Sequence, residues 1–237
     1  MKYLVMKRPD AIFPTFGKPN CQQMKRIFTL IIITSISVLS TTGIKSQEFN
    51  GGIMAGVVGS QVAGDTYSGF HKAGIFTGGF VNYQFTEHSI LQMELAFFQK
   101  GSRKNPDYEK NDLDQYLFRV NYVELPVLYQ WKLNDRLKFE AGPSLGFFIN
   151  YFEEKWEVEI SDDPGNNTPA AVTFQINAGF YVFLSRNLIF NFRTNNSMLN
   201  IRSDNATGDV IRIFPGNYGQ FHDCLIMSLY YQFNDAW

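Results

Sequence analysis

The stretch Tyr122-Val-Glu-Leu-Pro-Val-Leu-Tyr-Gln-Trp131 sets a glutamate and a proline inside an otherwise apolar run. A helix interior excludes Pro126, which lacks an N–H and clashes with the preceding turn. The residues sort by alternation instead. Val123, Leu125, Val127, Tyr129 and Trp131 share one face, while Glu124, Pro126 and Gln130 lie on the other with Tyr122 and Leu128. Period two is the signature of a strand. Pro126 cannot donate to a ladder, so a bulge or an unpaired position is expected near it.

The same pattern recurs outward from this stretch. Leu91, Met93, Leu95 and Phe97 oppose Gln92, Glu94 and Ala96, which are joined by Ile90 and Phe98. Leu137, Phe139, Ala141, Pro143, Leu145 and Phe147 oppose Lys138, Glu140, Gly142, Ser144 and Gly146. Val172, Phe174, Ile176, Ala178, Phe180 and Val182 oppose Thr173, Gln175, Asn177 and Gly179. Leu188, Phe190 and Phe192 oppose Asn191, Arg193 and Asn195. Strands are expected at about 51–59, 72–85, 88–100, 119–133, 136–152, 171–184, 187–199 and 222–233. Tight connections near Thr86-Glu87, Asn134-Asp135 and Ser185-Arg186 alternate with long ones at 60–71, 101–118, 153–170 and 200–221.

Composition chooses the solvent for the apolar faces. Of 237 residues, only 18% are charged and 16% are aromatic, with 23 Phe, 12 Tyr and 19 Gly. A soluble domain carries about 25% charge. No apolar run reaches the length of about 18 residues that a spanning helix needs. A membrane chain without such runs is a closed barrel, because only helices and closed barrels satisfy their backbone in lipid. The polar faces are poor in charge and rich in Gly, Ser, Asn and Gln, unlike a solvated surface. Aromatic pairs stand near strand ends on the apolar faces: Tyr83 and Phe85, Tyr129 and Trp131, Tyr231 and Phe233. Such girdles, with short turns at one end and long loops at the other, mark outer-membrane barrels. The expected fold is therefore all-β: an eight-stranded antiparallel up-and-down transmembrane barrel. A secreted soluble sandwich or lipocalin-like barrel is the competing reading, since alternation alone fits both.

The N-terminal region reads as export machinery. Met24-Lys25-Arg26 is a basic start, 27–39 an apolar stretch, and 40–46 mostly small and polar. This is the layout of a secretory signal peptide. Residues 1–23 are read as an upstream extension, 24–46 as the signal peptide with cleavage after Ser46, and 47–237 as the barrel domain. The expected location is the outer membrane. Cys21 precedes the signal, so Cys224 would be the one thiol of the mature chain, and no disulfide framework is implied.

The blocks Phe70-His-Lys-Ala-Gly-Ile-Phe76, Leu91-Gln-Met-Glu-Leu-Ala-Phe-Phe-Gln-Lys-Gly101, Tyr122-Val-Glu-Leu-Pro-Val-Leu128 and Phe139-Glu-Ala-Gly-Pro-Ser-Leu-Gly146 resemble those of PorT-like outer-membrane β-barrel proteins. The resemblance covers nearly all of the mature chain. It implies an eight-stranded barrel in the outer membrane and, through the family's namesake, a link to protein secretion. It carries no catalytic residue.

Inside a barrel this narrow, side chains fill the lumen. The inward set should include Glu94, Glu124, Lys138, Glu140 and Arg193, read as an ion-pair and hydrogen-bond plug because unpaired buried charge is costly. A polar conduit and acid–base chemistry are the sharper alternatives. His71 and His222 are placed at the external strand ends, as exposed rim residues, with Asp65, Ser68 and Asp223 near enough in sequence for a conceivable rim hydrolase. His88 falls in a turn. Three scattered histidines give no metal spacing. No cofactor motif and no catalytic residue is identified, and the chain is not read as an enzyme.

Net charge of −1 gives no reason to expect nucleic acid. The acidic stretch 153–163 reads as a solvated hairpin extension or as a site for a cation or basic partner, and 102–114 as a mixed-charge loop. The expected partners are outer-membrane lipid, the barrel assembly machinery through the aromatic-ended final strand, and an envelope or extracellular protein met by the loops. The expected role is structural, adhesive or docking. The alternatives are a secretion- or assembly-linked component and the rim hydrolase.

Overall fold

A computed structural model describes residues 49–65, 67, 69–161, 168–202, 210, 212 and 219–233. Residues 1–23 and 24–46, read from the sequence as an extension and an export signal, and Ser68 lie outside the described residues. The strands are β1 (Phe49–Ala63), β2 (Lys72–Gln84), β3 (Ser89–Lys104), β4 (Tyr116–Asn134), β5 (Leu137–Lys155), β6 (Val158–Glu159), β7 (Val172–Phe183), β8 (Leu188–Ser197) and β9 (Phe221–Gln232), with one 3-10 turn at Tyr108–Lys110.

Eight of these form a closed antiparallel barrel. Each pairs with its neighbour in sequence order, β6 excepted, and β1 pairs with β9 to close the ring. The two-residue β6 folds back on the tip of β5, joining Lys155 to Val158 and Glu154 to Glu159. Closure leaves no unpaired sheet edge, which lipid would not tolerate.

The faces sort as the alternation requires. Along β4, Tyr122, Glu124, Leu128 and Gln130 are buried inward, while Leu125, Val127, Tyr129 and Trp131 are exposed. The exposed set continues with Ile53, Val57, Ile75, Val81, Met93, Leu95, Phe139, Leu145, Phe147, Val172, Met227 and Leu229, an apolar belt around the whole barrel. A water-soluble barrel would need the opposite arrangement.

One end carries the tight turns 85–88, 135–136 and 184–187. Asn134 shapes its turn by accepting hydrogen bonds from the N–H of Arg136 and of Leu137, both at 2.9 Å. Phe49, Tyr83 and Phe85 contact in sequence at this end, with ring centroids 5.2 and 4.8 Å apart, and Tyr231 meets Phe233 at 6.2 Å. The described residues of the longer connections, 64–65, 67, 69–71, 105–115, 160–161, 168–171, 198–202, 210, 212 and 219–220, lie at the other end.

Pro126 keeps its place in the register opposite Ser144. On its other side the β3–β4 ladder passes from Met93–Val127 to Ala96–Glu124, leaving out Glu94 and Leu95 against Leu125 and Pro126. The proline therefore produces an unpaired position, not a bulge. A bulge lies higher on β5, where Tyr122 opposes Phe148 but Asn121 opposes Asn150. Ile149 is the extra residue, and beyond it the inward and outward positions of β5 exchange parity.

Candidate functional site

The barrel interior is the first candidate, and its chemistry follows from burial. A charge taken out of water in a narrow lumen needs a counter-charge and hydrogen bonds. Arg193, on β8, points to the axis and is fully buried. Its guanidinium donates to Glu94 at 2.7 and 2.8 Å and to Glu140 at 2.8 and 3.0 Å. The two carboxylates come from β3 and β5, so one arginine spans the lumen. The Tyr181 and Tyr230 hydroxyls each lie 3.0 Å from the guanidinium. Gln92 donates to Glu94 at 2.6 Å, and Asn191 donates to Glu140 at 2.7 Å. Every charge in this layer is paired.

A second layer sits nearer the long loops. Lys100 forms an ion pair with Glu124, and both are fully buried. The ammonium also donates to Asn195 at 2.6 Å, while Asn195 donates to Glu124 at 3.1 Å and to Asn177 at 2.8 Å. Lys138 sits at the edge of the first layer, toward the tight turns. Its ammonium lies 4.7 Å from the centroid of the Phe183 ring and 5.4 Å from that of Tyr181. The aromatic faces supply the electrostatic partner there.

Thus Glu94, Glu140 and Arg193 meet in one cluster, Glu124 belongs to another, and Lys138 borders the first through the Tyr181 ring. Lys100, Tyr181 and Tyr230 are interior residues that the sequence reading does not single out, whereas Asn195 falls on the polar face it assigns to that strand. Lys100 is detectable: it lies at the end of the expected strand 88–100 and shares parity with Glu94, Ala96 and Phe98.

Above these layers a third group of described residues closes the interior. Arg202 pairs with Glu153 at 2.8 Å and lies 4.4 Å from the centroid of Phe118. Tyr116 donates to Glu153 at 2.6 Å. Ile201 and Arg202 are tied to Gln220 by backbone bonds of 2.8 and 3.0 Å. Glu153, expected in a solvated extension, is buried because the Ile149 bulge turns it inward.

The histidines part company. His71 is exposed just before β2, and His88 lies in a tight turn with Nδ1 3.1 Å from the Lys132 carbonyl oxygen. His222 is not a rim residue. It is fully buried, stacked 6.4 Å from Phe118 and edge-on to Tyr122 at 5.8 Å. Asp223, the next residue, points the other way and accepts from Asn196 at 2.7 Å. Adjacent residues of a strand face opposite sides, which separates this His from this Asp. Cys224 is buried in the interior as well.

The second candidate is the rim. A cleft of about 360 Å³ is lined by Tyr67, His71, Arg103, Lys104, Lys110 and Asp112, among others. Lys104 pairs with Asp112 at 2.6 Å, and Lys110 with Asp107 at 3.0 Å. These hydrogen bonds hold both carboxyls below the usual carboxylate value. Asp107 also accepts from the N–H groups of Glu109 and Lys110 and so caps the 3-10 turn. Farther out, the β5–β6 hairpin exposes Trp156 and Val158. Among the described residues, no group of His, Cys, Asp and Glu is arranged to hold a metal.

The family described as outer membrane protein beta-barrel domain matches residues 38–202. No curated protein matches the chain. The fold is similar to that of Ail, the attachment invasion locus protein of Yersinia pestis, at 13% identity, with a TM-score of 0.47, covering 78% of this chain and 99% of that one. Neisserial surface protein A is similar at 10% identity and a TM-score of 0.48, with 78% and 97% covered. The outer membrane protein AlkL is similar at 14% identity and a TM-score of 0.30, with 84% and 98% covered.

Proposed function

Because the chain belongs to the outer membrane protein beta-barrel domain family, we propose that it is a non-conducting anchor of the outer membrane that docks a partner through its long loops. The observation that carries this reading is the filled lumen. Two layers, Arg193 with Glu94 and Glu140, then Lys100 with Glu124 and Asn195, reach from wall to wall, and Arg202 covers the mouth. A lumen occupied in this way is not a conduit, so contact chemistry falls to the loops. In this reading the tight turns are periplasmic and the long loops external. The signal at 24–46 is cleaved, and the final strand β9 is the handle for barrel assembly. In this reading the protein is not an enzyme, which is supported at one of the two rim-hydrolase histidines: His222 lies among Phe118 and Tyr122, away from solvent.

The finer likeness to PorT-like proteins, with its secretion- or assembly-linked role, belongs to the same proposal. The four sequence blocks behind it fall at the start of β2 and on β3, β4 and β5, which are adjacent strands. They therefore form one wall of the barrel.

Single-channel recording and photo-cross-linking test the docking reading together. The purified chain in a planar bilayer should give no conductance steps. A photoreactive residue at Trp156, in whole cells, should yield a discrete cross-linked species. Replacing 106–113 and 156–159 with Gly/Ser segments should abolish it while the barrel remains heat-modifiable. Steady conductance without a cross-linked species would contradict the reading.

A further inference from the structure

The outer wall changes character along one line at the long-loop end of β3, β4 and β5. Phe97, Val123 and Phe147 face outward at one level and are paired across the three strands. At the next outward level stand Gln99, Asn121 and Asn150, again paired. Their amides link across the strands: Gln99 donates to Asn121 at 3.3 Å, and Asn121 donates to Asn150 at 2.6 Å. The Ile149 bulge makes this possible, since without it Asn150 would turn inward. Apolar side chains thus give way to an amide row in a single step, as at the upper boundary of a hydrocarbon layer.

Cations gather at that boundary. Arg119 faces outward one level above Asn121, with its guanidinium 5.1 Å from the Phe152 ring. Arg103 faces outward on β3 above Gly101, which interposes no side chain, and it donates to Asn105 at 2.8 Å. Lys72, buried and with the inward parity of β2, reaches past the wall with its ammonium to Gln99 at 3.5 Å and to its neighbour's carbonyl, that of Ala73, at 2.5 Å. Gly101 pairs with Arg119, so Arg103 and Arg119 are diagonal neighbours on the outer wall. Among the described residues, no carboxylate forms an ion pair with any of the three. Lys104 and Lys110 close by are paired with aspartates, so the absence of partners belongs to this group and not to the whole rim.

We propose that this patch binds the phosphorylated headgroup of an outer-leaflet lipid. Arg103 and Arg119 supply the forked donors that fit a phosphate, Lys72 adds charge behind them, and the amide row takes up hydroxyl or amide groups of the headgroup. The acyl chains run down over Phe97, Val123 and Phe147. A free anion would have no use for that apolar row directly beneath the cations, which is why a lipid is the occupant assigned. The site lies on the barrel wall and stands independently of the loop-docking role.

The full chain in nanodiscs provides the test. Its thermal unfolding would be followed by loss of the heat-modifiable band in phosphatidylcholine discs containing a phosphorylated glycolipid or the same glycolipid dephosphorylated. The phosphorylated form should stabilise the barrel and be retained through detergent exchange. Arg103→Gln and Arg119→Gln should each lower retention about tenfold, the scale of one lost charge-assisted contact to phosphate. Lys110→Gln, a paired cation outside the patch, should leave retention unchanged. Arg103 is exposed, so its variant tests the site even if Arg119→Gln folds poorly. Equal retention by wild type and Arg103→Gln would overturn the proposal. So would equal stabilisation by inorganic phosphate in phosphatidylcholine discs, which would mark a free-anion site.

Discussion

Replacing Arg193 with methionine is expected to destabilise the barrel by about 3–5 kcal/mol, the scale on which removing one partner strands a buried opposite charge. The effect is large because one side chain serves two carboxylates. Without it, Glu94 and Glu140 remain in the lumen with only neutral donors, among them Gln92 and Asn191. A urea titration of the folded band on an unheated gel measures the loss. The triple change Arg193→Met, Glu94→Gln and Glu140→Gln should recover most of it, since removing a whole buried ion cluster costs far less than breaking it. If the single variant is as stable as wild type, the lumen is wet at this level and Arg193 is not the strut described here.

The second large effect is expected at Lys100. Lys100→Met leaves Glu124 fully buried with hydrogen bonds from Asn195 at 3.1 Å and Ser144 at 3.5 Å, the latter at the limit of a useful contact. A loss of about 3–5 kcal/mol is again the expected scale. Glu124→Gln in the same background should restore stability, because the stranded charge is gone. The methionine variant alone keeps most of the volume of lysine, so a cavity does not explain the loss. Failure of Glu124→Gln to rescue would show that Lys100 acts through packing against Phe98 and Tyr122 and not through its charge.

Much of this architecture is legible in the sequence because period-two alternation is local. On β4 Glu124 and Gln130 mark the inward face against Val123, Leu125, Val127, Tyr129 and Trp131, and parity alone places Tyr122 and Leu128 on that inward face, while the low charge of the inward set declares the solvent on the other side. What escaped reading depends on where strands end and where parity breaks. Lys100 falls inside the expected strand 88–100 but at its last position, where a charged residue reads as the start of a solvated loop; β3 in fact continues to Lys104 and carries Lys100 inside the lumen. Glu153 looked like one acid among several in a solvated hairpin, but the bulge at Ile149 reverses the faces above it. No residue-type signal distinguishes Ile149 from its neighbours, so the inversion is visible only in the register. His222 was placed at the rim because it opens the last strand. Its burial follows from the cover formed by Ile201, Arg202 and Gln220, a long-range arrangement that local pattern does not encode. The pairing of one arginine with two particular carboxylates is equally non-local, since Arg193 and Glu94 are 99 residues apart.

The face assignment of β4 carries everything else, and cysteine scanning across 122–131 tests it most directly. In a Cys224→Ser background, nitroxide labels would be placed at 123, 125, 127, 129 and 131 of the chain in lipid bilayers, with Leu128→Cys probed by a small thiol reagent. The expected result is that the odd-numbered labels collide with oxygen dissolved in the lipid and not with a water-soluble nickel chelate, while the cysteine at 128 stays unreactive. Odd-numbered labels that meet the chelate instead would put the apolar face away from lipid and contradict the barrel as described.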